Sequence, residues 1–159
     1  MSVDLSRFIT AQQRSYSTAL SEIKRGRKTS HWIWYIFPQI EGLGRSSTAQ
    51  YYSIHDMEEA KAFMADPYLS CNLIEISQAL LTLDSNNATE VMGIPDDMKL
   101  RSSMTLFMAA APEQPVFQQV LDKFYGGKPD RWTLQLLGLE GCIRCFCPNR
   151  LLDHRGGLS

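Results

Sequence analysis

Apolar residues in this chain recur at steps of three and four, and nowhere do they alternate with polar ones over the length of a strand. That pattern selects helices, whose sides repeat about every 3.6 residues, over half-buried strands, whose sides repeat about every two. Leu5, Phe8, Gln12, Tyr16, Ala19, Leu20 and Ile23 mark out a first helix, with Asp4 available as N-cap and Gly26 just past the end. Asp56 opens DMEEAKAFMAD, with Met57, Ala60, Phe63 and Met64 on one face. Pro67 suits the first turn of the next helix, along which Leu69, Leu73, Ile76, Leu80 and Leu83 recur until the polar run Asp84 to Asn87 stops it. After Pro95, the residues Leu100, Met104, Phe107, Met108 and Ala111 form a stripe, with Asp96 and Asp97 at the positive end of the helix dipole. Pro115 starts a helix carrying Phe117, Val120, Leu121 and Phe124, ended by Gly126 and Gly127, and Asp130 is placed to cap a short helix through RWTLQLL.

No Asn-Gly or Asp-Gly hairpin signal interrupts this reading. The expectation is an all-α fold, a compact single-domain multihelical bundle over residues 1–138. Beyond Gly138 the periodicity fails and Gly, Cys, Arg and Asp accumulate, so residues 139–159 are expected to form a loosely ordered, flexible tail. The segment His31 to Phe37 is apolar on every side, and periodicity alone does not separate a buried helix from a buried strand there.

A chain of 159 residues with 44% hydrophobic content has the length of one domain and can bury about 70% of the surface its unfolded form exposes. Seventeen acidic against sixteen basic side chains leave a net charge of -1, so no global field draws it to nucleic acid or to anionic lipid. The short basic run Lys24 to Lys28 reads as cations at a helix C-terminus. No stretch reaches the roughly 18 uninterrupted apolar residues of a membrane span, and no leader pattern opens the chain, so the expected location is cytoplasmic and the expected state a monomer. Cys71 falls in a helical pattern while Cys142, Cys145 and Cys147 crowd the C-terminus, which favours reduced thiols over a disulfide framework. With His154 the three offer zinc-type ligands, but at a spacing unlike paired knuckles, and neither a metal nor a cofactor is expected.

The segments SHWIWYIFPQIEGLGRSSTAQYYSI, EAKAFMADPYL, PDDMKLRSSMTLF and VLDKFYGGKPDRWTL together resemble the bacterial family designated domain of unknown function 1810, over about residues 4 to 137. The resemblance implies a compact multihelical domain, and so helix or irregular structure for the Trp segment; it implies no particular activity. Tyr51-Tyr52 followed by Ala60-Lys61 bears a fainter likeness to small helical glycosidases acting on ADP-ribose linkages, with Gln50 where that group has an acidic residue.

Function is sought first between Ser30 and Tyr52, where Trp32, Trp34, Tyr35 and Phe37 precede Gln39 and a Gly42-x-Gly44 turn. Aromatic walls and a few convergent polar groups are what a ligand pocket is made of. Gly42 and Gly44 ahead of Arg45, Ser46 and Ser47 can turn backbone N–H groups towards an anion, with Gln50 and Tyr51 one helical turn further on. The plain alternative is an ordinary turn with a serine cap. A second Arg-Ser-Ser, Arg101-Ser102-Ser103, follows Lys99 inside a strong helix; small hydroxyl residues there admit close approach of a ligand or another helix, and an Asp97–Arg101 ion pair is the structural alternative. His31 and Asp97 are the candidate acid–base residues. His55 is assigned to capping the helix at Asp56. The resulting expectation is a domain that binds a small phosphorylated or nucleotide-like compound between the Trp segment, the glycine turn and the Lys99–Ser103 turn, with glycosidase-like hydrolysis as an extension. The competing expectation is a protein–protein interaction module without catalysis.

Overall fold

The computed structural model describes residues 3–139, and the chain there is helical, with nine helices and no strand among the described residues. The tail drawn from 139 therefore falls, apart from Leu139, outside the described residues, as do Cys142, Cys145, Cys147 and His154.

Most helix starts follow from a side chain that satisfies an otherwise open amide. Helix α1 spans Ser6–Lys24. Its N-cap position is Leu5, one residue later than expected, and Asp4 Oδ1 accepts from the Ser6 amide just inside. Ser46 caps α3 (Ser47–Tyr51) by accepting from Ala49 N–H, and Asp56 caps α4 (Met57–Ala65) by accepting from Glu59 N–H. Asp66 caps α5 (Pro67–Leu81), where Pro67 takes the first helical position. Asp130 caps α9 (Arg131–Leu136), accepting from both the amide and the hydroxyl of Thr133. Two further helices, α7 (Asp96–Ala110) and α8 (Val116–Tyr125), follow Pro95 and Pro115. The Trp segment supplies α2, the single turn Ile33–Ile36. Helix α6 (Ala88–Met92) was not expected: Asn87, read as part of a helix stop, is instead its N-cap and accepts from Glu90 N–H.

Helix α7 is the axis of the packing, against α4, α6, α8 and α9 with α2 alongside, while α1 lies on α5 and α2. The single apolar stripe expected on α7 understates it, because Ser102, Ser103 and Thr105 are buried as well as Met104, Leu106, Phe107 and Met108. Small residues on the remaining sides let several helices approach one another around it. An aromatic chain crosses this core, with Phe8 of α1 against Phe63 of α4 at 5.3 Å, Phe63 against Phe107 of α7 at 5.0 Å, and Phe107 against Phe117 of α8 at 6.1 Å between ring centroids. Edge-on and tilted pairs at such spacings add to simple burial.

Between α2 and α4 the backbone is held by an isolated parallel bridge, with Ile54 N–H donating to Gln39 O at 2.9 Å and Glu41 N–H to Ile54 O at 2.7 Å. Arg7 ties the same segment to α1, donating to the carbonyls of Tyr51 and Ser53 at 2.8 Å each and pairing with Glu59 at 3.2 Å. No helix among the described residues is long and apolar enough to cross a membrane.

Candidate functional site

The loop from α1 into α2 is shaped by one buried carboxylate. Glu22, near the end of α1, is 2% exposed. It accepts from the amides of Thr29 and Ser30 at 2.8 and 2.9 Å, the Ser30 hydroxyl at 2.5 Å and the Trp32 indole N–H at 2.9 Å. Burial alone would raise its pKa, but the hydrogen bonds from Ser30, Thr29 and Trp32 outweigh that and hold the carboxyl down at about 2. Trp32 is therefore a core residue, 1% exposed, whose polar atom is engaged inward. A second anchor, Lys28 N–H donating to Val91 O at 2.7 Å, sets the loop against α6.

The outer side of this loop faces the start of α7 across a cavity of about 350 Å³. His31 and Trp34 line one wall, Ile94, Asp96 and Lys99 the other, with Lys28 between them. Asp96 sits among the cations, its Oδ2 2.7 Å from Lys28 Nζ and its Oδ1 4.0 Å from Lys99 Nζ. Each ammonium also lies over an aromatic ring, Lys28 at 4.9 Å from Trp32 and Lys99 at 5.6 Å from Trp34. The cavity thus combines an aromatic wall, a surplus of positive charge, an imidazole and a carboxylate.

Of the residues singled out in the sequence, the cavity brings together His31, Trp34 and Lys99. The glycine turn is not among its lining residues, and local packing accounts for that turn. A Cβ on Gly44 would lie 2.4 Å from the Ala49 Cβ, and one on Gly42, at φ +109°, would press on the Leu136 side chain at 3.3 Å. Ser46 is the α3 cap, Ser47 the first residue of that helix, and Gln50 folds back to donate to the Arg45 carbonyl at 3.1 Å. The Arg45 side chain is exposed and its guanidinium has no partner among the described residues. Gln39 serves the bridge to Ile54 through its carbonyl, and Tyr51, 61% exposed, rests edge-on against Tyr52 at 4.8 Å.

The second Arg-Ser-Ser is built into the fold. Arg101 donates to the carbonyls of Lys128 at 3.0 Å and Pro129 at 3.2 Å, fastening the α8–α9 connection to α7. The expected Asp97–Arg101 ion pair is replaced by those two bonds, because the planar guanidinium reaches two convergent carbonyls. Ser102 Oγ donates to Met98 O within the helix, and Ser103 Oγ is buried without a hydrogen-bond partner among the described residues. Asp97 accepts from Thr89 Oγ1 at 2.6 Å and from the Met98 amide at 2.8 Å, which makes it a support for the α6–α7 corner. His55 does not cap α4 through its ring; Nδ1 pairs with Glu41 at 2.6 Å while its amide donates to Glu59. That hydrogen bond to the Glu41 carboxylate raises the His55 pKa against a smaller opposing effect of burial.

Lys28 and Asp96 are the charged cavity residues that sequence reasoning missed. Both had a sufficient local explanation at a helix end, Lys28 near the C-terminus of α1 and Asp96 in the first turn of α7, and nothing in their spacing announces that the two ends meet. A second cleft, of about 410 Å³, lies between the turn after α1 and the α5–α6 loop, lined by Arg25, Arg27, Asp84 and Glu90 among others. It has no aromatic wall and contains none of the residues expected to bind ligand. Among the described residues no group of three or more His, Cys, Asp or Glu side chains is placed to hold a metal ion.

No curated protein matches the chain. A crystal structure of the conserved hypothetical protein Rv1873 from Mycobacterium tuberculosis is similar, with 41% sequence identity, a TM-score of 0.83, and coverage of 85% of this chain and 96% of that one. The family model described as a protein of unknown function, DUF1810, matches residues 2–137, and the chain belongs to that family.

Proposed function

We propose that this protein binds a small anionic compound, phosphorylated or nucleotide-like, in the cavity between the α1–α2 loop and the start of α7. The observation that carries the reading is the meeting of Trp34 and His31 with Lys99 and Lys28 around one concavity of about 350 Å³. An indole wall offers a face for a base or sugar ring, and an ammonium close by offers a counter-charge for an acid group. Arg45 and the glycine turn have no part in this version of the site. Hydrolysis of the bound compound would draw on His31 and Asp96, the imidazole and carboxylate of the lining, and not on Asp97, which does not line the cavity.

Thermal unfolding in the presence of nucleotides and sugar phosphates tests the reading, since a ligand confined to the folded state raises the melting temperature, by about 2.7 kcal/mol of stability at one hundred times Kd. The expected result is a shift with at least one compound that Lys99→Gln and Trp34→Ala each diminish. Uniform absence of shifts at millimolar concentration would remove the proposal.

The docking-module reading has one observation in its favour, the 81% exposure of Ile94 at the rim of the same cavity. Ile94→Ser separates the two. Under the second reading it weakens association with a protein partner more than Lys99→Gln does, and under the first Lys99→Gln has the larger effect on small-ligand binding.

A further inference from the structure

The charges around the cavity are unequal in how far they are already satisfied. The Lys28 side chain is 6% exposed, and its ammonium donates to Asp96 Oδ2 at 2.7 Å and to the Ser30 carbonyl at 2.5 Å. Its remaining face lies over the Trp32 ring. The Lys99 side chain is 24% exposed and stands 4.0 Å from Asp96 Oδ1, beyond hydrogen-bond length. Two ammoniums against one carboxylate leave a single unit of positive charge, and it resides on Lys99, next to the Trp34 ring.

Resting on the ligand-binding reading above, we propose that the acid group taken by this cavity is a singly charged phosphodiester in preference to a doubly charged phosphomonoester, with the ring portion of the ligand against Trp34. A phosphomonoester carries about -1.5 to -2 near neutral pH, whereas a diester carries one charge for each phosphorus. One charge is what Lys99 can match. The excess charge of a monoester would have to leave water with no further cation among the described lining residues to meet it, and would sit beside the Asp96 carboxylate, which shares the same ammonium. Among the described residues no arginine lines the cavity to offer a two-pronged grip on a terminal phosphate, and a lysine supplies only a point charge. Asp96 is thus a specificity residue: it excludes the second charge and holds Lys28 in place.

Calorimetric titration of the full chain with the four common nucleoside 5′-monophosphates and with their 5′-methyl diesters changes this charge at the addition of a single methyl group. It is run at low ionic strength and about pH 8, above the range in which histidines ordinarily ionise. For the base that binds, the diester is expected to show a Kd about tenfold lower than the monoester, and Asp96→Asn to erase or reverse that preference. Lys99→Gln keeps the Lys28–Asp96 pair, so it covers the case in which Asp96→Asn fails to fold, and it should weaken the diester about tenfold or more. Monoesters binding as tightly as diesters, or a diester Kd indifferent to Lys99→Gln, would overturn the inference and leave the ligand-binding reading standing. If neither set binds, the ligand-binding reading fails and this inference fails with it.

Discussion

The indole N–H of Trp32 donates to Glu22 Oε1 across 2.9 Å, joining the N-cap of α2 to the last turns of α1. The same carboxylate holds Thr29 and Ser30, so the loop that lines the cavity is positioned from its inner side by a single buried side chain. Replacing Glu22 with Ala leaves several donors buried and unpaired, and the expected loss, read from urea unfolding, is about 3 kcal/mol or more. Any ligand that binds through Trp34 should weaken at the same time. A stability loss under about 0.5 kcal/mol, the scale of an ordinary surface change, would contradict this account of the loop.

The same residue governs behaviour in acid. Glu22 moves from an ordinary value of 4.5 to about 2 in the folded chain, so between those values the unfolded form binds more protons and stability rises with pH. Its contribution, on the order of 3 kcal/mol, is complete above about pH 4.5 and lost as the pH falls towards 2. The stability gap between the wild type and Glu22→Gln is therefore expected to close over that window in acid titrations followed by circular dichroism. His55 has the opposite sign: its pKa is raised, so its contribution is present below about 6.5 and fades as the pH climbs through the folded value. With 64% and 57% of the His55 and Glu41 side chains exposed, that second effect is expected to be small and to shrink with salt.

Gly44→Ala should cost about 1–3 kcal/mol, because the new Cβ would lie 2.4 Å from that of Ala49 and the first turn of α3 has to give way. Arg45→Ala, one residue on, should change stability by less than about 0.5 kcal/mol. The contrast, measured by thermal unfolding, separates a glycine required by helix packing from one required by an anion. If both changes spared stability and both abolished ligand binding, the turn would take the role proposed for the cavity.

Arg101→Lys is expected to destabilise by about 1–2 kcal/mol, since an ammonium does not reproduce two parallel bonds to the carbonyls of Lys128 and Pro129. Ligand affinity should stay within about twofold of wild type, because Arg101 does not line the cavity. A large loss of affinity with stability intact would place the second Arg-Ser-Ser in the binding site after all.

What could be read from the residues alone depended on how local its cause was. Ser46, Asp56 and Asp130 announce helix starts because a cap and the amide it satisfies lie within three residues of each other. Asn87 misled because an asparagine can end one helix or begin another, and the five-residue α6 is too short to show a period. The single turn α2 was ambiguous for a related reason, since Ile33 and Ile36 are buried and Trp34 and Tyr35 partly so, leaving no polar side to count from. His31, Trp34 and Lys99 stood out by residue type. That they share a wall with Lys28 and Asp96 is a property of how α2 and α7 pack, and the partners of the two cations lie 68 and 3 residues away respectively. Spacing exposes the second kind of pairing and hides the first.

Arg7, in the first turns of α1, finds its acceptors 44 and 46 residues downstream, with Glu59 a further step away at 52. A segment whose backbone carbonyls are held by so remote a side chain does not close on its own; loop-closure entropy has to be met before those bonds form. The stretch from Gln39 to Ser53 is accordingly expected to organise late in refolding and to open as one unit with the chain's beginning. In native-state amide exchange, Arg7→Ala should speed deuteration at Ile54 and leave the interior of α7 protected. The N-terminal turn of this protein would then act as the latch on its middle.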